Sequence, residues 1–127
     1  MKAAFAAMCI VLAAALGMCM LSMHVHERAL GLMEPVCARA IAAVRADDGG
    51  EAARAVAEMD EIMQRCSGTL EMLASHNDLH DTMTCLRDAK VALECGDMDD
   101  AYQALARLQG MLEHLLEHER LTVENLL

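Results

Sequence analysis

Aromatic side chains are almost missing from this chain: Phe5 and Tyr102 are the only two, and there is no tryptophan. With so few rings, 127 residues must build a core from Ala, Leu and Met, which suits helices better than sheets. Proline occurs once, at Pro35, and glycine seven times. A β-sandwich or barrel needs more turn residues than that. Positive charge is also scarce. Apart from Lys2, every charged side chain lies beyond His24, and the net charge is −10. That balance argues against nucleic acid and anionic lipid headgroups as partners. It suits solubility, cations or a basic protein partner.

Reactive signatures are missing too. There is no glycine-rich phosphate loop, no nucleophile elbow and no helical His-Glu-x-x-His, so a non-enzymatic protein without a cofactor is expected. The six cysteines contain no CxxC pair. Cys37, Cys66, Cys85 and Cys95 are an even set that an exported domain could pair, although Cys66 falls on an apolar seam that favours a buried thiol. The twelve methionines read as gap-filling core. The acidic stretches at Asp47-Asp48 and Asp97 to Asp100 do not form the D-x-D-x-D-G loop with its distal glutamate that calcium needs, so they read as solvated turns.

What the chain does have begins at its N-terminus. Residues 3–23 form an uncharged run of 21. A helix needs about 20 apolar residues to cross a bilayer. A cleaved signal peptide, giving a secreted helical protein, is the rival, with Ala13-Ala14-Ala15 as its site. The apolar run continues past that site through Leu16, Met18, Met20, Leu21 and Met23. The expectation is therefore an uncleaved transmembrane anchor over 1–23, in contact with the bilayer through residues 3–23, then an acidic helical-bundle domain over 24–127. Lys2 and the α-amine favour a cytoplasmic N-terminus, against Arg28 and Arg39. This places a single-pass protein in the cell membrane with its domain on the extracytoplasmic side.

Four helical patterns run along the chain. Leu30, Met33, Cys37, Ala40 and Val44 mark one stripe over His24 to Ala46, with Pro35 as a bend or a new start. Asp47-Asp48-Gly49-Gly50 breaks it. Ala52, Val56, Met59, Met63, Cys66, Leu70 and Leu73 then alternate steps of 4 and 3. Ser75 or Asn77 caps a third helix, whose stripe is Leu79, Met83, Leu86, Ala89 and Leu93. After Cys95-Gly96-Asp97 comes the cleanest seam: Ala101, Leu105, Leu108, Leu112 and Leu115. This helix runs to about His118, and Thr122 caps a short last turn. The fold class is all-α: an N-terminal transmembrane helix, then a small antiparallel bundle of two helical hairpins. An internal echo supports two hairpins, since Glu51 to Met59 lines up with Asp100 to Leu108 at an offset of 49.

The C-terminal half carries further motifs: His76-Asn77-Asp78, the turn at Gly96-Asp97, Leu112-Glu113-His114, and Leu121 with Glu124-Asn125-Leu126. In these motifs and in its layout the chain resembles the bacterial membrane-anchored helical proteins called domain of unknown function 4363. It departs from them at Leu116, where they often have proline. The resemblance implies a hydrophobic anchor followed by about a hundred helical residues, and it brings no established activity with it.

The remaining lead is histidine. His76 and His80 are one helical turn apart, and so are His114 and His118. A hairpin folded about Gly96-Asp97 puts both pairs at the same end, where they make a candidate metal site. Solvated or carbonyl-capping histidines are the plainer outcome. The leading expectation is thus a non-catalytic interaction or accessory module for a membrane-protein partner or for self-association. The rival is a metal-binding or sensing module.

Overall fold

The structure, a computed structural model, describes residues 1–73 and 76–126, with backbone alone at 67, 69–73, 76, 118–119, 122–124 and 126. Four helices follow one another: α1 (Lys2–Arg45), α2 (Gly49–Leu73), α3 (His76–Glu94) and α4 (Met98–Leu126), with no strand among the described residues. The short links force each helix to run antiparallel to the one before. Consecutive helices pack against each other, and α4 returns to α1, which closes a four-membered up-down-up-down ring.

α1 is one helix of 44 residues, about 66 Å long. Its Ala, Leu and Met content favours helix throughout. Proline would normally break such a helix by removing a hydrogen bond to the carbonyl four residues back. Here both Pro35 and Gly31 are exposed, so water can satisfy that carbonyl, and the helix continues. The bend or restart expected at Pro35 does not interrupt it. Residues 1–21 are exposed without exception, whereas from His26 onward ten side chains are buried. The exposed part makes α1 long and apolar enough to cross a membrane.

Both upper turns have the same construction. Asp47 and Gly96 adopt left-handed φ values of 57° and 73°. Asp48 donates its N–H to Ala43 at 2.9 Å and Asp47 donates to Val44 at 3.0 Å; Asp97 to Ala92 and Gly96 to Leu93 repeat this at 2.8 and 3.1 Å. These paired bonds satisfy the last carbonyls of α1 and α3. The same aspartates cap the next helices. Glu51 N–H donates to Asp48 Oδ1 and Asp100 N–H donates to Asp97 Oδ1, each at 3.0 Å. The offset of 49 therefore holds in three dimensions.

The core repeats with the same offset. Near the turns it is lined by Ala40, Ala43, Ala52 and Ala55, matched by Ala89, Ala92, Ala101 and Ala104, all buried. Small side chains let the four backbones approach closely there. Farther from the turns, Met33, Met59, Leu105, Leu108 and Leu112 fill a wider interior. On α3 the buried stripe is Thr82, Cys85, Leu86, Ala89 and Ala92, and Met83 is 48% exposed. The expected seam through Met83 is thus rotated. Thr82 can be buried because its hydroxyl donates to the Asp78 carbonyl at 2.7 Å. α4 also runs unbroken to Leu126, so the separate last turn expected at Thr122 is instead helix. Ser75 lies outside the described residues, and Asn77 sits inside α3, one residue past its start.

Candidate functional site

Two surface grooves flank α3. One lies between α3 and α4, has a volume of about 530 Å³, and is lined by Asp78, Asp81, Asp88, Arg107, Met111 and His114 among others. The second lies between α2 and α3, with a volume of about 470 Å³. Its floor includes Val56, Met63, Leu79 and Leu86, and Met83 stands at its edge. It continues toward the turns past Ala53, Ala57, Leu93 and Glu94.

The second groove has a cause that the repeat makes visible. Among the described residues, the contact between α2 and α3 is the loosest of the four in the ring. Its counterpart at offset 49 is the contact between α4 and α1, which is closed. There Ile41 is 7% exposed. The residue in its place on α3 is Lys90, which is exposed. Likewise Arg87 stands where α1 has Ala38. A lysine ammonium cannot enter an unpaired apolar seam without a cost of several kcal/mol. Val56 and Met63 on α2 replace Leu105 and Leu112 on α4. The seam therefore stays open over an apolar floor.

Charge sorts by wall in this groove. Asp60 and Glu61 line the α2 side, and Arg87 and Lys90 the α3 side. Among the described residues, Arg87 and Lys90 enter no ion pair, while Arg39, Arg54, Arg65 and Arg107 do. Glu94, the acid on the α3 wall, lies beside Ala53 and Ala57 at the turn end.

The histidines are distributed as follows. His80 and His114 are exposed, and His114 lines the α3–α4 groove with Asp78 and Asp81. The side chains of His76 and His118 fall outside the described residues. Among the described residues, no group of three or more His, Cys, Asp or Glu is arranged to hold a metal ion. Antiparallel α3 and α4 do carry both histidine pairs at one end of the bundle.

All six cysteines are described, and all are free thiols. Burial, reinforced by Glu113, pushes the Cys37 thiol up to about 11, and its Sγ–H donates to the Leu105 carbonyl at 3.6 Å. Burial also raises Cys85, whose Sγ lies 3.8 Å from Met111 Sδ. Both remain protonated at neutral pH and behave as small core residues rather than nucleophiles.

No protein-family model, curated protein or solved structure matches this chain. Its sites are therefore read from their own geometry. Ile62, Met111 and Leu116 are partly buried against the core, and the Met72 side chain lies outside the described residues. The sequence reading missed the α2–α3 groove. One signal could have found it: Lys90 at the offset of Ile41.

Proposed function

We propose that the chain is a single-pass membrane protein whose acidic helical bundle, held outside the cytoplasm, acts as a non-catalytic interaction module for a membrane partner or for a second copy. The observation that carries this is the unbroken α1. Its first 21 residues are all exposed, and the same helix then supplies more of the buried core than any other among the described residues. An isolated apolar helix of this length is costly in water, so a bilayer is its natural surrounding. The resemblance to the domain of unknown function 4363 proteins supports the same layout. The groove between α2 and α3, with an apolar floor between an acidic and a basic wall, supports a binding role.

Fractionation tests the anchor. The full chain should stay with membranes through alkaline carbonate washing, and the mature N-terminus should be that of the intact anchor. N-terminal sequencing that starts near Leu16 would replace this reading with secretion. Labelling of the exposed Cys95 in intact cells by a membrane-impermeant maleimide should succeed if the bundle faces outward.

Metal binding at His76, His80, His114 and His118 has one supporting observation, the placement of both pairs at one end of the bundle. Zn²⁺ titration of the intact protein decides it. Sub-micromolar binding, on the order of the affinity of a built site, that disappears in His76→Ala and His114→Ala would favour a metal module.

A further inference from the structure

We infer that the α2–α3 groove is the contact surface of a parallel two-fold dimer, in which α3 of each copy lies against α2 of the other. This rests on the interaction-module reading above and names its partner as a second copy of this chain.

The first step concerns what keeps the groove open. The bundle repeats itself at offset 49 in its turns, its caps and its buried alanines. The repeat fails at one seam. At that seam α1 buries Ile41, whereas α3 carries the exposed Lys90 in its place, with the exposed Arg87 one turn before it. The floor beneath them remains apolar, with Val56, Met63 and Leu86 reaching it and Met83 exposed at the rim. Apolar floor and charged walls together describe the centre and rim of a protein interface.

The second step is charge complementarity. One wall is acidic, with Asp60 and Glu61; the other is basic, with Arg87 and Lys90. A surface with opposite charges on its two sides can be its own complement. Two copies can bring this groove face to face about a two-fold axis in two ways. If the axis lies across the helices, the copies are antiparallel, and α2 meets α2 while α3 meets α3. Acid then faces acid and base faces base. If the axis runs along the helices, α2 of one copy meets α3 of the other at the same height. Asp60 and Glu61 then face Arg87 and Lys90 of the second copy, and Met83 reaches the second copy's floor. Charge selects the parallel form.

The third step is independent of charge. In the parallel form both N-terminal apolar segments leave the bundles in the same direction. In the antiparallel form they leave in opposite directions, which one bilayer cannot accommodate. The arrangement chosen by the walls of the groove is thus the one that a shared membrane allows. Tethering in one membrane also raises the effective concentration, so a modest interface is enough.

The test uses the full chain in its membrane, in a background carrying Cys9→Ala, Cys19→Ala and Cys95→Ser. Two differently tagged copies are co-expressed, one with Asp60→Cys and the other with Lys90→Cys, and oxidised. The expected product is the mixed 60–90 dimer, about tenfold above the like-to-like products. Predominant 60–60 and 90–90 products would overturn the proposal. As a second measurement, Asp60→Lys with Glu61→Lys should weaken dimerisation about tenfold, and adding Arg87→Glu with Lys90→Glu should restore it, with helicity unchanged throughout. Loss without rescue, while helicity is kept, would also overturn it. A photo-crosslinker at position 83 separates the two levels. Capture of a different membrane protein by a monomeric chain sinks the dimer and leaves the interaction module standing. A monomer with no neighbour sinks both.

Discussion

Arg39 of α1 pairs with Glu58 of α2, and Arg107 of α4 pairs with Asp88 of α3 at 3.9 Å. Adding 49 to the first pair gives the second with its charges exchanged. The two hairpins therefore share positions and not residues. They agree where backbone geometry is demanding: a left-handed residue, a capping aspartate and alanines at the close approach. They differ where several solutions work. In the first hairpin Arg39 also reaches Glu51 at 3.2 Å, while the second shows a single longer contact among its described residues. All these groups are substantially exposed, so each pair contributes at most about 1 kcal/mol. The agreement between the hairpins must come from the core and the turns, and this can be tested position by position.

The harshest test is in the core. Met59 and Leu108 are counterparts, and both are fully buried. Met59→Asp and Leu108→Asp should each destabilise the bundle by about 4 kcal/mol or more, because each places an unpaired carboxylate in the apolar interior. Circular dichroism on heating would show the cooperative transition lost in both. If one variant melts like the parent, the two hairpins do not share a core.

The left-handed turn positions should respond with opposite signs. Gly96→Ala adds a Cβ at a φ of 73° and should cost about 1 kcal/mol. Asp47→Gly removes one at 57° and should stabilise by a few tenths of a kcal/mol. Denaturant midpoints that move the same way for both would show the turns to be unlike. The caps should respond alike instead. Asp48→Ala and Asp97→Ala should each cost about 1 kcal/mol, and their sum should be additive because the sites share no partner.

The smallest effect belongs to one hairpin alone. Burial lowers the pKa of His26 below its ordinary 6.5, so the folded state favours neutral imidazole. The unfolded chain then binds more protons between the two values. This part of the stability is complete above about pH 6.5 and is lost as pH falls toward the lowered folded value. Thermal melts at pH 7.5 and 5 should differ more for the parent than for His26→Leu. An identical difference would show that other groups carry the acid sensitivity.

The parts of this fold visible in the sequence are those set by local spacing. Ala52, Val56, Met59 and Met63 on α2 are buried as their periodicity predicts, and so are Ala101, Leu105, Leu108 and Leu112 on α4. Met83 misled because α3 is half polar, and its apolar spacing fits two faces. Which face is buried depends on Thr82 finding a carbonyl, a three-dimensional fact. Pro35 misled because its effect depends on whether water can reach the carbonyl of Gly31. The groove was hidden for a deeper reason. Lys90 is an unremarkable exposed lysine until α1 and α3 are superposed, and only then does it stand in the place of Ile41. The capping role of Asp48 was missed, although glutamate three residues later completes a familiar N-terminal pattern.

The absence of any break in α1 has a rotational consequence. A flexible joint after the apolar segment would let the bundle spin freely above the membrane. A continuous helix instead gears the two together, so in the membrane-anchored form proposed above the compass bearing of the groove follows the face that residues 3–23 turn to the lipid. Each residue inserted between Met23 and His26 would turn the bundle by about 100° and raise it by about 1.5 Å. Four residues would nearly restore the bearing, and two would point the groove almost backward. The anchor is then less a leash than a drive shaft, and its length in residues sets which way the protein looks.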